Sequence, residues 1–284
     1  MRQSGAIAGR AVAPLEKENI MKADYNFIES NKSSWNQRTQ EHYDSDFYDV
    51  KGFVEGKSSL NPIELGLLGN IRGKKILHLQ CHFGLDSISL SRMGGEVTGI
   101  DLSDEAIRKA RQLAKDSGTD TRFVCCNIFD LPDYLDETFD IVFTSYGVIN
   151  WFPNLDEWGR IVSRYLKPDG KFVMVEFHPV LWMFDTKFER VESAYSREEP
   201  YISTSQTYTN ASEAGKEYVE VTWNHGLSKV LQGLLHANLR IVDFQEYDYS
   251  PFNLFGNMEE DRGMYHLKDR KGMIPILFSV VAER

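Results

Sequence analysis

Two stretches of this 284-residue chain carry side chains whose types and spacing suit chemistry. The first is ILHLQCHFGLDS, in which an apolar run passes into a turn at Gly84 and then directly into a helical pattern. Open α/β sheets bind ligands at the carboxyl ends of their strands, and the free N–H groups of a helix start suit a nucleotide-type ligand. The second is EVTGID, ending at Asp101, roughly twenty residues on, where an acid is expected to take the ribose hydroxyls. A carboxylate there accepts from both hydroxyls in a charge-assisted, bidentate contact. Capping the next helix is the other use for Asp101, but Ser103 is better placed for that. His78 and His82 read as HxxxH, a spacing that joins two imidazoles only on a helix. Here the pair runs from a strand into a turn and the rest of HExxH is missing, so no metal site is expected. Cys81, Cys125 and Cys126 form no CxxC pair and read as small buried residues.

The elements that must position these residues follow a regular order. A helix is predicted over Ser30–Tyr43, with Trp35, Arg38, Thr39 and His42 on one face. Asn61 caps a short second helix that has Pro62 at its first position. From Lys74 strands and helices alternate: KKILHL, the helix LDSISLSRM, EVTGID, and a helix opened by Ser103 and buried along Ile107, Ala110, Leu113 and Ala114. RFVCCN, FDIVFTSY, a helix near Glu157–Leu166, a Pro168-Asp169-Gly170 turn and KFVMVEF follow. Residues 185–225 break the rhythm, and YISTSQTYT and KEYVEVTWN alternate as a two-stranded insertion. The helix Leu227–His236, LRIVDFQEY and IPILFSVVAE complete the chain, with an irregular loop between the last two strands. The pattern predicts an α/β protein: a doubly wound, mostly parallel sheet of seven strands with right-handed crossovers, an amino-terminal helical cap and a small β insertion. Residues 1–20 are expected to be a disordered tail, 21–70 the cap and 71–284 the main domain.

Composition narrows the class. Net charge is −10, with 32 Lys and Arg against 42 Asp and Glu, so no broad cationic footprint for nucleic acid is expected. The longest apolar runs, such as Met273–Ala282, are too short to span a bilayer, and the opening residues lack the apolar region of a secretory signal. Cysteine usage fits a reducing compartment, so a cytoplasmic protein is expected. Nothing in the sequence marks an oligomeric state.

These residues together resemble the class I S-adenosylmethionine-dependent methyltransferases, whose first strand is followed by a motif like (D/E)xGxGxG. The likeness is carried by LHLQCHFGLDS, VTGIDLS, CNIFDLP, FDIVFTSYGVINW, YLKPDGKFVMVEFHP and PILFSVVAE, and covers most of Trp35 to Glu283. It is greatest to a small-molecule subgroup, of methyltransferase domain type 11/25, whose first motif reads like HLQCHFGLD. The departures are local. His78 stands at the usual acid, Gln80 and His82 replace the first two glycines, and Asn127 replaces an Asp at the adenine amine. The resemblance implies a Rossmann-like methyltransferase fold with S-adenosyl-L-methionine as cofactor and a small-molecule methyl acceptor, and no nucleic-acid or membrane partner. By position it places Gln80, Cys81 and Gly84 at the methionine part and Asp101 at the ribose. Leu102 packs on the adenine with Asn127 and Ile128 at its edge, and Ser145 and Tyr146 lie under the sulfonium. It also implies that the first helix closes over the cofactor through Trp35 and Arg38, with Arg38 on the methionyl carboxylate. Trp151 and Trp182 fall where the acceptor would sit.

The sulfonium is an activated donor, so the protein has to align donor and acceptor, exclude water and, for a protonated acceptor, remove a proton. His178 in VEFHP is the expected base, at the carboxyl edge of the fifth strand, with Glu176 to orient its ring. Pro179 holds its backbone extended. Two other classes share parts of the pattern: a nicotinamide-dependent oxidoreductase, from which GxGxxG is missing, and a module that binds the cofactor without turnover.

Overall fold

The computed structural model of the chain describes residues 26–185, 187–205, 218–256 and 258–284; the expected tail over 1–20 lies outside them. Before the sheet come three helices, α1 (Phe27–Tyr43), α2 (Val50–Val54) and α3 (Pro62–Leu68). The alternating part follows as β1 (Lys75–His78), α4 (Leu85–Arg92), β2 (Glu96–Asp101), α5 (Asp104–Asp116), β3 (Arg122–Cys125), β4 (Phe139–Ser145), α6 (Leu155–Tyr165) and β5 (Leu166–Phe177). The chain then runs through β6 (Tyr201–Ser205), β7 (Tyr218–Thr222), α7 (Leu227–His236), β8 (Arg240–Tyr247), β9 (Glu259–Asp261), β10 (Met264–His266) and β11 (Leu277–Glu283).

Seven strands form one sheet in the order β3-β2-β1-β4-β5-β11-β8. β1 pairs in parallel with both β2 and β4, so the chain winds outward in two directions from β1. The strand order therefore reverses between β1 and β4, and a crevice opens at their carboxyl ends. β11 inserts antiparallel between β5 and β8. Successive strand residues face opposite sides. Leu77, Val142, Phe172 and Phe278 pack under α6 and α7 with Trp158, Val162 and Leu234. Ile76, Phe143, Val173 and Val281 pack on the other face with Leu68 and Leu90.

Local sequence explains most boundaries. Ser103 caps α5 by accepting from the Ala106 amide at 3.0 Å, and the buried stripe is Ala106, Ile107, Ala110, Leu113 and Ala114. Asn154 caps α6, whose Gly159 lies so close to α7 that an added Cβ would stand 2.1 Å from the Gly233 carbonyl oxygen. The insertion is a hairpin, with Tyr201–Ser205 antiparallel to Tyr218–Thr222. Two features differ from the expected order. A short helix, α2, follows the first, and the loop before the last strand holds the β9–β10 hairpin. Both elements are at most five residues long, too short for a periodic pattern to announce them.

Candidate active site

A cavity of about 400 Å³ opens at the switch point. That is within the range of small-molecule sites. Its floor is the turn after β1. Gln80, His82 and Gly84 have φ of 52°, 51° and 83°. Left-handed backbone favours glycine, so Gln80 and His82 hold a turn that their side chains do not favour. Gly84 is required on a second count, because a Cβ there would lie 2.5 Å from the Phe123 ring.

Aspartate 101 closes this turn. Its Oδ2 accepts from the His82 amide at 2.8 Å and its Oδ1 from the Ser103 amide at 2.9 Å. Burial nevertheless pushes its carboxyl up to about 6, because the three backbone bonds it accepts offset only part of the desolvation. Gln80 donates to the Val148 carbonyl at 2.9 Å, and its Oε1 is buried with no partner. A buried acceptor without a donor is costly, so a ligand N–H beside the turn would relieve it. That orphan atom and the Asp101 carboxylate in one cavity fit an amino-acid–nucleoside ligand such as S-adenosylmethionine.

The opposite wall comes from β4 and the loop after it. Gly147, Val148 and Ile149 donate their amides to the Glu176 carboxylate, which pins the loop. Burial raises the carboxyl of Glu176. Trp151 is fixed by a 2.8 Å bond from its indole N–H to the Gly147 carbonyl. Ser145 donates to Asp86 Oδ2 at 3.2 Å, and Ser59 to Asp86 Oδ1 at 2.6 Å. Tyr146, itself at φ 52°, donates its phenol to Glu64 Oε2 at 2.7 Å.

The roof is α1 clamped to β7. Asn31 donates to the Val221 carbonyl and accepts from its amide, both at 2.9 Å. Arg38 forms a buried ion pair with Glu220. Trp35 packs edge-on to Trp151 and His82 at centroid distances of 5.3 and 5.2 Å.

The family model for a methyltransferase domain matches residues 72–232 of this chain. The chain belongs to the methyltransferase-domain family. Its sheet is the Rossmann-like methyltransferase fold, and the solved structures it resembles share that architecture. The solved DhpI complex with S-adenosylmethionine and HEP is 18% identical with a TM-score of 0.56, over 92% of this chain and 100% of that one. Two curated relatives are named ubiquinone biosynthesis O-methyltransferase. The one from Idiomarina loihiensis is 31% identical over 131 residues, 45% of this chain and 54% of that protein. The one from Chromobacterium violaceum is 23% identical over 211 residues, 73% of this chain and 84% of that protein. The chain thus spans about half the length of the first relative it matches.

This methyltransferase domain brings together in the cavity wall Trp35, Arg38, Gln80, Cys81, Gly84, Asp101, Leu102, Asn127, Ile128, Ser145, Tyr146, Trp151 and Trp182. Burial raises the thiols of Cys81, Cys125 and Cys126, the last to about 12, which suits inert packing rather than nucleophilic work. His78 and His82 point to different partners, His78 to Ser87 at 2.8 Å and His82 to the rings of Trp35, His42 and Phe83. Among the described residues no three His, Cys, Asp or Glu side chains cluster as metal ligands.

The structure does not bring His178 to the cavity. Its Nδ1 accepts from the Val180 amide at 3.1 Å, capping the short turn Pro179–Met183. Nε2 therefore carries the proton and faces Glu246 Oε1 at 2.9 Å. The ring is a corner brace between β5 and β8, and burial lowers its pKa. Glu176 does not orient it, because that carboxylate is spent on the loop after β4. Arg38 also departs from expectation in having Glu220 as its charge partner.

Sequence reasoning missed the group behind Tyr146. Glu64 has no exposed surface, and burial beside Asp86 pushes its carboxyl up to about 7. Its one sequence signal is the capping box Asn61–Glu64, which reads as helix chemistry: Glu64 Oε1 accepts from the Asn61 amide at 2.7 Å.

Proposed function

We propose that this chain methylates an oxygen of a neutral small molecule with S-adenosylmethionine, as a member of the small-molecule subgroup with the HLQCHFGLD motif. The observation that carries this reading is the pairing of the Asp101 carboxylate with the unpartnered Gln80 Oε1 across a left-handed turn at the switch point. Asp101 holds the ribose hydroxyls. Gln80 takes the methionyl ammonium, whose N–H groups match its free acceptor. Leu102 packs on the adenine, and Asn127 and Ile128 lie at its edge. Oxygen as the acceptor atom is supported by the names of the curated relatives, which are O-methyltransferases.

The bound donor supplies an activated methyl group; the chain supplies alignment and a dry site. Helix α1 clamped to β7 covers the cavity, and residues 26–70 act as a cap over the main domain. Trp151 and Trp182 line the acceptor end. A nicotinamide-dependent oxidoreductase would share Asp101 but has no use for an orphan acceptor at Gln80.

Calorimetric titration tests the reading. S-adenosylhomocysteine is expected to bind and NADH not to bind. Incubating the protein with methyl-labelled S-adenosylmethionine and a metabolite extract is expected to give a labelled methyl ether, identified by mass. Binding of NADH in preference to S-adenosylhomocysteine would reject the assignment, and binding without any labelled product would leave a non-catalytic module.

A further inference from the structure

The acceptor end of the cavity is chemically distinct from the cofactor end. Tyr146 stands in its wall with Phe252 and Phe177 at ring-centroid distances of 5.1 and 5.8 Å, and Trp182 packs edge-on to Phe177 at 6.1 Å. Phe47 extends the same wall, 5.9 Å from Phe252. Rings dominate this end, and among the described residues the two cations of the lining are engaged elsewhere: Arg38 by Glu220 and Lys57 by Asp49. Two acidic side chains back this end, Asp86 in the lining itself and Glu64 behind Tyr146. An anionic acceptor would be repelled there, whereas a flat, uncharged ring would stack.

One hydrogen-bonded chain leads out of this end. The Tyr146 phenol donates to Glu64 Oε2 at 2.7 Å, and Glu64 Oε1 is committed to Asn61. While its proton points at Glu64, the phenolic oxygen can accept from the Asn61 side chain and still has a lone pair for a ligand hydroxyl. We infer that Tyr146 is a catalytic residue and Glu64 its positioning partner, together taking the proton from a neutral aromatic hydroxyl that is the methyl acceptor. The inference rests on the S-adenosylmethionine reading above.

The O–H bond of the acceptor breaks and its proton bonds to the Tyr146 oxygen, while the proton of Tyr146 passes to Glu64 Oε2. The electron pair left on the acceptor oxygen forms the new bond to the methyl carbon, and the donor sulfur keeps the pair of the broken S–C bond. Glu64 must start as a carboxylate.

The groups facing Glu64 decide when it does. Burial raises it most, Asp86 of α4 raises it further, and its bonds from Tyr146 and Asn61 lower it. His78 on β1 is neutral beside Asp86, its ring pushed down to about 4 by burial. Lys171 on β5 binds the Leu67 and Leu68 carbonyls at the far end of α3, and Tyr247 and Tyr249 lie against the outer face of that helix. The balance puts the Glu64 carboxyl at about 7. Above that value the phenol of Tyr146 donates to Glu64 and accepts from a ligand hydroxyl. Below it, protonated Glu64 donates to Tyr146, and the phenol turns to donate to the ligand.

The test measures binding rather than turnover. 4-Methylphenol and its methyl ether are titrated into protein saturated with S-adenosylhomocysteine, between pH 6 and 8. The phenol is expected to gain on the ether by roughly five- to tenfold as pH rises through about 7, the worth of one hydrogen bond. Glu64→Gln and Tyr146→Phe, each checked to bind S-adenosylhomocysteine like the wild type, are expected to show a ratio independent of pH. A pH-independent ratio in the wild type, or no binding of either probe to the loaded protein, overturns the inference while leaving the cofactor reading intact. Failure of the wild type to bind S-adenosylhomocysteine overturns the cofactor reading itself.

Discussion

Asp101 shows how much a single side chain can be made to report. Its folded-state value of about 6 lies above the ordinary 3.8, so the empty protein takes up a proton there as pH falls toward 5. Ribose hydroxyls donate, and a carboxylate accepts them better than a carboxylic acid does. Affinity for S-adenosylhomocysteine is therefore expected to be flat above pH 7 and to fall as pH drops through about 6. Asp101→Asn is expected to remove that dependence, and Asp101→Ala to cost about 1.5–3 kcal/mol in calorimetry. Unchanged affinity in a folded alanine variant would take Asp101 out of the site. Asp101 was legible because its position relative to two strands is local information. Gln80 and His82 were half legible: the motif placed them, but the replaced glycines concealed that the turn stays left-handed. His178 misled because its partner Glu246 arrives from β8, 68 residues later, and no local pattern records that bond.

At the scale of elements, α1 has an unusual buried face: Asn31, Ser34, Arg38, Thr39 and His42. A helix held by polar contacts has a weak apolar period, and the sequence revealed it through Trp35, Arg38, Thr39 and His42 without naming what it packs on. The partner is β7, 190 residues away at the Asn31–Val221 clamp. The hairpin itself was readable from its alternation; its docking was not, because both facing surfaces are polar. The Arg38–Glu220 pair is the part of this contact that can be tested most sharply. Both side chains are buried, so removing one strands the other charge. Arg38→Ala is expected to destabilise the protein by about 3–5 kcal/mol, while Arg38→Met combined with Glu220→Leu recovers most of the loss. Urea denaturation of the two variants reads the difference. Equal losses in both would mean that the pair contributes shape rather than charge compensation.

Over the whole molecule, alternating strands and helices were enough to read the sheet, whereas the cavity joins α1, α2, the loop leading to α3, β4, β7 and the Phe252 loop through contacts no periodicity encodes. That convergence buries titratable groups of both kinds, and stability at acid pH follows from their balance. Burial lowers His42, His78, His82, His178 and His225 below 6.5, to about 4 for His78 and about 3 for His82. The unfolded chain protonates these rings near 6.5 while the native protein does not, so their stability contribution is present above that pH and lost as pH falls toward 4. Glu64, Asp101 and Glu176 are raised and act in the opposite sense: the native state takes the proton first, near 7 for Glu64 and 6 for Asp101. The strong lowering of His42, His78 and His82 outweighs the raised Glu64 and Asp101 in this interval, so the net stability of the protein is expected to fall between pH 6.5 and 5. Glu64 softens that fall. Its shift from 4.5 to about 7 contributes about 2 kcal/mol of extra stability on going from pH 7 to pH 5. Glu64→Gln keeps the shape but cannot take the proton, so its loss of stability over the same interval is expected to exceed that of the wild type by about 2 kcal/mol. Denaturant titrations of both proteins at pH 7 and pH 5 measure this directly. Parallel losses would place the ordinary carboxylate value at Glu64 and remove the pH switch from the acceptor end of the cavity.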